Sequence, residues 1–216
     1  MSAALFRPPL GLAALCLVLL SLALSGCATT YGVAIDSLAD ETPASGSYFL
    51  IPDPSLGVEA DDLLFQEVCS LVRPAFAARG MTLADSPAQA AHEVRLSYGM
   101  GEPTTHIRTW RYPDYETFYW YGRAFSVRVM RTEVSVQTIY HARLALEARQ
   151  RQKGQPGRQI WQTRMQVSGR IDDFRKLISV GIPALGQVLG SRTEGVCHFE
   201  VKEDRDGALS VSPAAE

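Results

Sequence analysis

Asparagine is absent from this chain of 216 residues, and lysine occurs only as Lys153, Lys176 and Lys202. Neither sign of charge prevails: 21 Lys and Arg stand against 23 Asp and Glu, a formal net charge of −2. Such a balance argues against a surface built for phosphate recognition, although the Arg fork suits phosphate oxygens. Arg in place of Lys, with no Asn at all, reads more simply as codon usage. The four histidines, His92, His106, His141 and His198, show neither a zinc spacing such as H-x-x-x-H nor a recognisable nucleophile partner. A hydrolase site could then arise only if folding gathered them with carboxylates, and the sequence nominates no catalytic, cofactor or metal residue. Gly99-Met100-Gly101 lacks the third glycine and the helix of a phosphate loop and is better read as a turn. Asp61-Asp62 and Asp172-Asp173 fit helix N-termini, where carboxylates meet exposed N–H groups, better than they fit acid/base pairs.

Apolar runs are also scarce: one from 10 to 24 is uncharged, and no later stretch is long enough for a membrane span. That run follows Arg7 and ends in Leu24-Ser25-Gly26-Cys27, the layout of a secretory signal. Small residues leading into a cysteine resemble the lipobox of bacterial lipoproteins. The resemblance implies cleavage of residues 1–26 and acylation of Cys27, whose thiolate is nucleophilic enough to take a thioether-linked lipid. Two or three acyl chains hold a protein on a membrane where one only visits. Ala28 stands where Asp favours inner-membrane retention in that family, so the implied address is the outer membrane, facing the periplasm, where an exported lipoprotein rarely meets nucleic acid and none is expected as a partner.

With Cys16 in the leader and Cys27 acylated, Cys69 and Cys197 remain. An oxidising periplasm permits a disulfide between them; two buried free thiols are the alternative. Residues 27–47, rich in Thr, Ser, Ala and Gly, read as a flexible tether. Residues 48–203 read as one domain, and 204–216 as a polar tail.

Within the domain, Tyr48-Phe49-Leu50-Ile51 before Pro52 predicts a short buried strand. Leu64, Val68, Leu71, Val72 and Ala75 repeat at helical spacing up to Gly80, with Pro74 disturbing the helix. Val94, Leu96 and Tyr98 alternate with polar neighbours, as do the longer runs 134–146 and 161–167, which predict an antiparallel hairpin. A second helix follows Asp172-Asp173 and contains Pro183, and Cys197, Phe199 and Val201 close with a last strand. This order predicts an α+β fold: a mostly antiparallel or mixed sheet with about two helices on one face.

The strand ending at Pro52-Asp53-Pro54, the helix closed by Arg79-Gly80, the hairpin with Ile160-Trp161, and Ser168-Gly169 before a Pro183-bearing helix together resemble the DUF4136 lipoprotein family, a domain of unknown function. The likeness covers roughly residues 48–201 and implies an α+β envelope lipoprotein with no assigned activity. The aromatic central segment and the Gln/Lys/Gly loop after residue 151 depart from the family pattern.

One stretch resists a purely structural reading. Trp110, Tyr112, Tyr115, Tyr119, Trp120 and Tyr121, with Phe118 and Phe125, are interleaved with Arg108, Arg111, Arg123, Arg128 and Arg131. Rings and guanidinium groups favour interfaces, because each pairs flat surface with a polar handle. The same rings could instead cover the sheet as a flap or an added strand. These features predict a non-enzymatic protein held on the membrane through Cys27 that binds or supports another envelope component. The alternative is a lipid- or glycan-binding module using residues 108–131.

Overall fold

A computed structural model describes residues 28–40, 46–151 and 157–214. The leader, Cys27 and most of the loop after residue 151 lie outside the described residues. The chain folds as an α+β unit with nine strands and two α-helices among those residues: β1 (Thr29–Ala39), β2 (Ser47–Pro52), α1 (Leu63–Ala78), β3 (Thr82–Leu83), β4 (His92–Met100), β5 (Thr104–Trp120), β6 (Arg123–Gln150), β7 (Gln159–Gly169), α2 (Phe174–Val188), β8 (Cys197–Glu203) and β9 (Leu209–Pro213). The main sheet runs β3-β2-β4-β6-β7-β1-β8-β9, and β5 pairs with β6 alone. Only β2 with β3 and β2 with β4 are parallel; every other pairing is antiparallel.

The sheet buries one face, because its strands alternate with period two. Tyr31, Val33 and Ile35 of β1, Ala142, Leu144, Leu146 and Ala148 of β6, and Trp161, Met165 and Val167 of β7 point to the same core. Both helices cover this face with their apolar stripes, among them Phe65, Val68, Val72 and Phe76 from α1 and Leu177, Ile178 and Leu185 from α2. Each helix starts where the acid pairs predict. Asp62 accepts hydrogen bonds from the Leu64 and Phe65 amides, and Asp173 accepts from the Lys176 amide, satisfying N–H groups that a helix leaves open. The packing is close at Gly181, where an added Cβ would stand 2.5 Å from Val167 and 2.8 Å from the Met165 sulfur.

Three expectations need correction. The tether assigned to 27–47 is in large part β1, a central strand flanked by β7 and β8. Its small residues, Gly32 and Ala34, lie on the outer face, while Ser37 on the inner face is fully buried and its hydroxyl lies 2.7 Å from that of Thr163. A buried polar group paired in this way belongs in a core. The tail assigned to 204–216 contains β9, which pairs with β8 as a sheet edge, so the folded unit runs from Thr29 to Pro213 rather than over 48–203. The Cys69–Cys197 bond is not formed; both thiols are free. Cys69 sits on α1 beside Phe49, Leu50 and Leu83 of β2 and β3, whereas Cys197 opens β8, with β4, β6, β7 and β1 between β2 and β8. At about 4.8 Å per strand the gap is several times the Cα separation a disulfide tolerates. Burial pushes the Cys69 thiol up to about 11.

Candidate contact surface

The 17 residues of β5 pair with residues 123–139 of β6 through an unbroken antiparallel register, from Thr104↔Ile139 to Trp120↔Arg123. Beyond Tyr140, β6 has lost its partners β4 and β7, which pair only with residues 140–150. The result is a two-stranded arm that continues β6 past the end of the sheet. At roughly 3.3 Å per residue it is about 55 Å long. Of the two structural forms open to the aromatic segment, flap or added strand, it takes the strand, paired with β6 alone.

The arm turns at Tyr121-Gly122, both with positive φ, 48° and 74°. This is the backbone of a hairpin turn in which Asn-Gly or Asp-Gly is usual. A bulky ring in the left-handed region is costly, and here it places Tyr121 at the tip, 91 % exposed. Trp120 meets it edge to face, with ring centroids 5.4 Å apart.

The register assigns every arm residue to one of two faces. One carries Trp110, Tyr112, Phe118, Trp120 and Phe125 together with all the acids of the arm, Asp114, Glu116 and Glu133. Its acids are partnered across the strands: Arg131 meets Asp114 at 2.6 Å and Glu116 at 3.2 Å, and the Trp110 indole donates to Glu133 at 3.2 Å, while Arg108 and Arg123 on the same face form no ion pair among the described residues. The opposite face carries Ile107, Tyr115, Tyr119, Met130, Val134 and Val136 among threonines, with Arg111 and Arg128 as its only charges. The six aromatic contact candidates thus share one arm but not one surface: Trp110, Tyr112 and Trp120 lie on the acid-bearing face, Tyr115 and Tyr119 on the acid-free face, and Tyr121 on the turn.

At the root, His141 fastens the arm to the sheet. Its Nδ1 lies 2.8 Å from the Ser168 hydroxyl on β7, and its Nε2 lies 3.0 Å from the Thr104 hydroxyl on β5. The Gly101 amide donates to the His141 carbonyl at 2.7 Å. In the sequence His141 falls on the polar phase of its strand and nothing marks it as a bridge, which exists only because β5 and β7 flank β6 in turn. The other histidines are dispersed. His106 is on the arm, His198 on β8, and His92 at the far end of β4, stacked on Tyr48 with centroids 5.0 Å apart and held below its ordinary pKa by burial. They do not converge with carboxylates in a cleft, and among the described residues no group of three His, Cys, Asp or Glu side chains could hold a metal.

An open groove of about 730 Å³ lies at the arm end of the sheet, between the N-termini of α1 and α2, and is lined by Leu63, Leu64, Tyr98, Met100 and Phe174 with Glu67, Asp172 and Arg175. Its apolar lip is exposed, Leu63 to 82 %. No helix among the described residues is long and apolar enough to cross a membrane.

No family model matches the chain, and no curated protein does. Among solved structures it is similar to a crystal structure of a PDZ domain protein from Parabacteroides distasonis, at 12 % identity and a TM-score of 0.44. That match covers 88 % of this chain, which spans 42 % of the other's length.

Proposed function

We propose that this is a non-enzymatic, lipid-anchored protein of the bacterial cell envelope, acylated at Cys27 and belonging with the DUF4136-like lipoproteins, that uses its arm to bind or support another envelope component. The arm carries this reading. A two-stranded ribbon is marginal in water by itself, and this one leaves Tyr121, Trp120, Tyr119 and Ile107 more than half exposed. Apolar surface on that scale, rimmed by charge, is characteristic of interaction sites. The lipobox-like Leu24-Ser25-Gly26-Cys27 supplies the compartment, and Ala28 favours the outer membrane.

The test has two arms. Cells fed a labelled fatty acid should label the wild-type chain and not Cys27→Ser, and fractionation should place the protein with the membranes. A photo-crosslinker replacing Trp120 or Tyr121 in intact cells should yield an adduct whose second component is identified by mass spectrometry as an envelope molecule. The same probe on the exposed Arg205 of the β8–β9 turn should not yield it. A cytosolic protein with an unmodified Cys27 would remove the proposal.

A further inference from the structure

The strand register fixes which end of the sheet carries the arm. Gly32 of β1 lies opposite Ser168 of β7, and Ser168 lies opposite His141 of β6. Thr29 therefore starts β1 at the sheet end from which the arm departs. Cys27 precedes Thr29 by two residues, so an acyl group there can stand no more than about 7 Å of chain from that end. Without the predicted tether, anchor and arm leave the body on the same side.

We infer that the acid-free face of the arm is a second membrane contact, lying on the anionic headgroup layer of the bilayer that holds the lipid of Cys27. Its composition fits that occupant. Ile107, Tyr115, Tyr119, Met130, Val134 and Val136 offer apolar and aromatic side chains for the boundary between headgroups and acyl chains. Arg111 and Arg128 have no ion-pair partner among the described residues, and their long side chains can reach lipid phosphates while their stems stay low. With every acid of the arm on the other face, nothing on this one repels an anionic surface.

The arm lies on the bilayer rather than through it. Both edges of the ribbon are open, and N–H and C=O groups without partners are excluded from hydrocarbon; water and phosphate satisfy them at the headgroups. The acid-bearing face, with Trp110, Tyr112 and Trp120, is thereby turned away from the membrane and left to the envelope component proposed above. The choice of leaflet rests on the lipidation reading, whereas the affinity of this face for anionic lipid does not.

Among the described residues every strand and both α-helices lie between Thr29 and Pro213, so a chain beginning at Ala28 keeps these elements and carries no acyl group. Such a chain should co-float with vesicles of phosphatidylglycerol and phosphatidylethanolamine in equal parts and not with phosphatidylcholine alone. The pair Arg111→Gln, Arg128→Gln should weaken that partitioning by about thirtyfold, each cation near an anionic surface contributing about fivefold. Arg108→Gln with Arg123→Gln, on the opposite face, removes the same charge and should weaken it less than about threefold. Circular dichroism and thermal melts establish that both variants are folded. The inference is overturned if the parent chain ignores phosphatidylglycerol, if the two pairs lose binding equally, or if sedimentation shows a dimer that closes this face without lipid. Acylation is read separately, from the mass of the N-terminal peptide of the cell-made protein, so that the anchor and the second contact can fail independently.

Discussion

The strand β6 passes through two settings within one run of backbone. Over residues 142–148 it has neighbours on both edges, β4 and β7, and its even-numbered side chains are buried. Over residues 123–139 it has β5 alone, and almost every side chain is open to solvent. Hydrogen bonding to a neighbour is common to both stretches; what the arm lacks is a layer beneath it. A β-ladder supplies alignment, and most of the stabilisation comes from what the aligned side chains bury. The body therefore holds itself together, while the arm depends on cross-strand pairs, on its root and on whatever it meets.

The contrast can be broken most directly by equivalent truncations on the one strand. Leu146→Ala, at 0 % exposure in the body, should cost about 2 to 5 kcal/mol in urea unfolding through lost burial and the cavity left behind. Val136→Ala, at 62 % exposure in the arm, should cost less than about 0.5 kcal/mol. Comparable losses would mean that the arm packs on a layer of its own.

The root offers a finer test. His141→Ala removes the links to Ser168 and Thr104 and should cost about 1 kcal/mol. Its clearer sign is amide hydrogen exchange, which should quicken around Thr104–Ile107 and Gln137–Ile139 while Leu144–Leu146 remain protected. If exchange in the arm does not change, the bridge does not fasten it.

Acid gives the smallest effect, and it should be confined to the body. Glu203 on β8 accepts hydrogen bonds from the Lys176 ammonium on α2 and, at 3.1 Å, from the Tyr31 hydroxyl on β1. The Lys176 bond, more than any other contact, holds its carboxyl below the ordinary value of 4.5. A depressed carboxylate stabilises the fold fully above its unfolded pKa and loses that contribution as pH falls through the folded one. Melting temperature should therefore drop more steeply below pH 4.5 for the wild type than for Glu203→Gln, while the gap between them narrows toward low pH. Parallel curves would remove Glu203 from the acid response.

The same contrast explains what could be read in the sequence. The hairpin of β6 and β7 was legible because one buried face forces Ala142 to Leu146 and Trp161 to Val167 to alternate with polar residues, whereas Val134 and Val136, read as part of the same half-buried run, lie exposed on the arm. The helices were legible because Asp62 and Asp173 stand before their apolar stripes. The arm was legible only as a composition: Phe118, Tyr119, Trp120 and Tyr121 follow one another without alternation, since neither face of the tip is covered. In β1 the alternation of Tyr31, Val33, Ile35 and Ser37 was present but diluted, because Gly32 and Ala34 are small and the buried Ser37 is polar. The separation of Cys69 from Cys197 and the bridge at His141 depend on strand order, which local pattern does not specify.

The place of β1 also governs the timing of folding. Among the described residues it is the first strand made, yet its core partners come late: Ser37 meets Thr163 at a separation of 126 residues, and Tyr31 meets Glu203 at 172. Contacts this distant in sequence close slowly, because the intervening chain must be ordered first. The place of β1 between β7 and β8 therefore stays incomplete until nearly the whole polypeptide has been synthesised, and a C-terminal truncation at the end of α2 would leave β1 without β8 and strand this early-made segment at a raw edge.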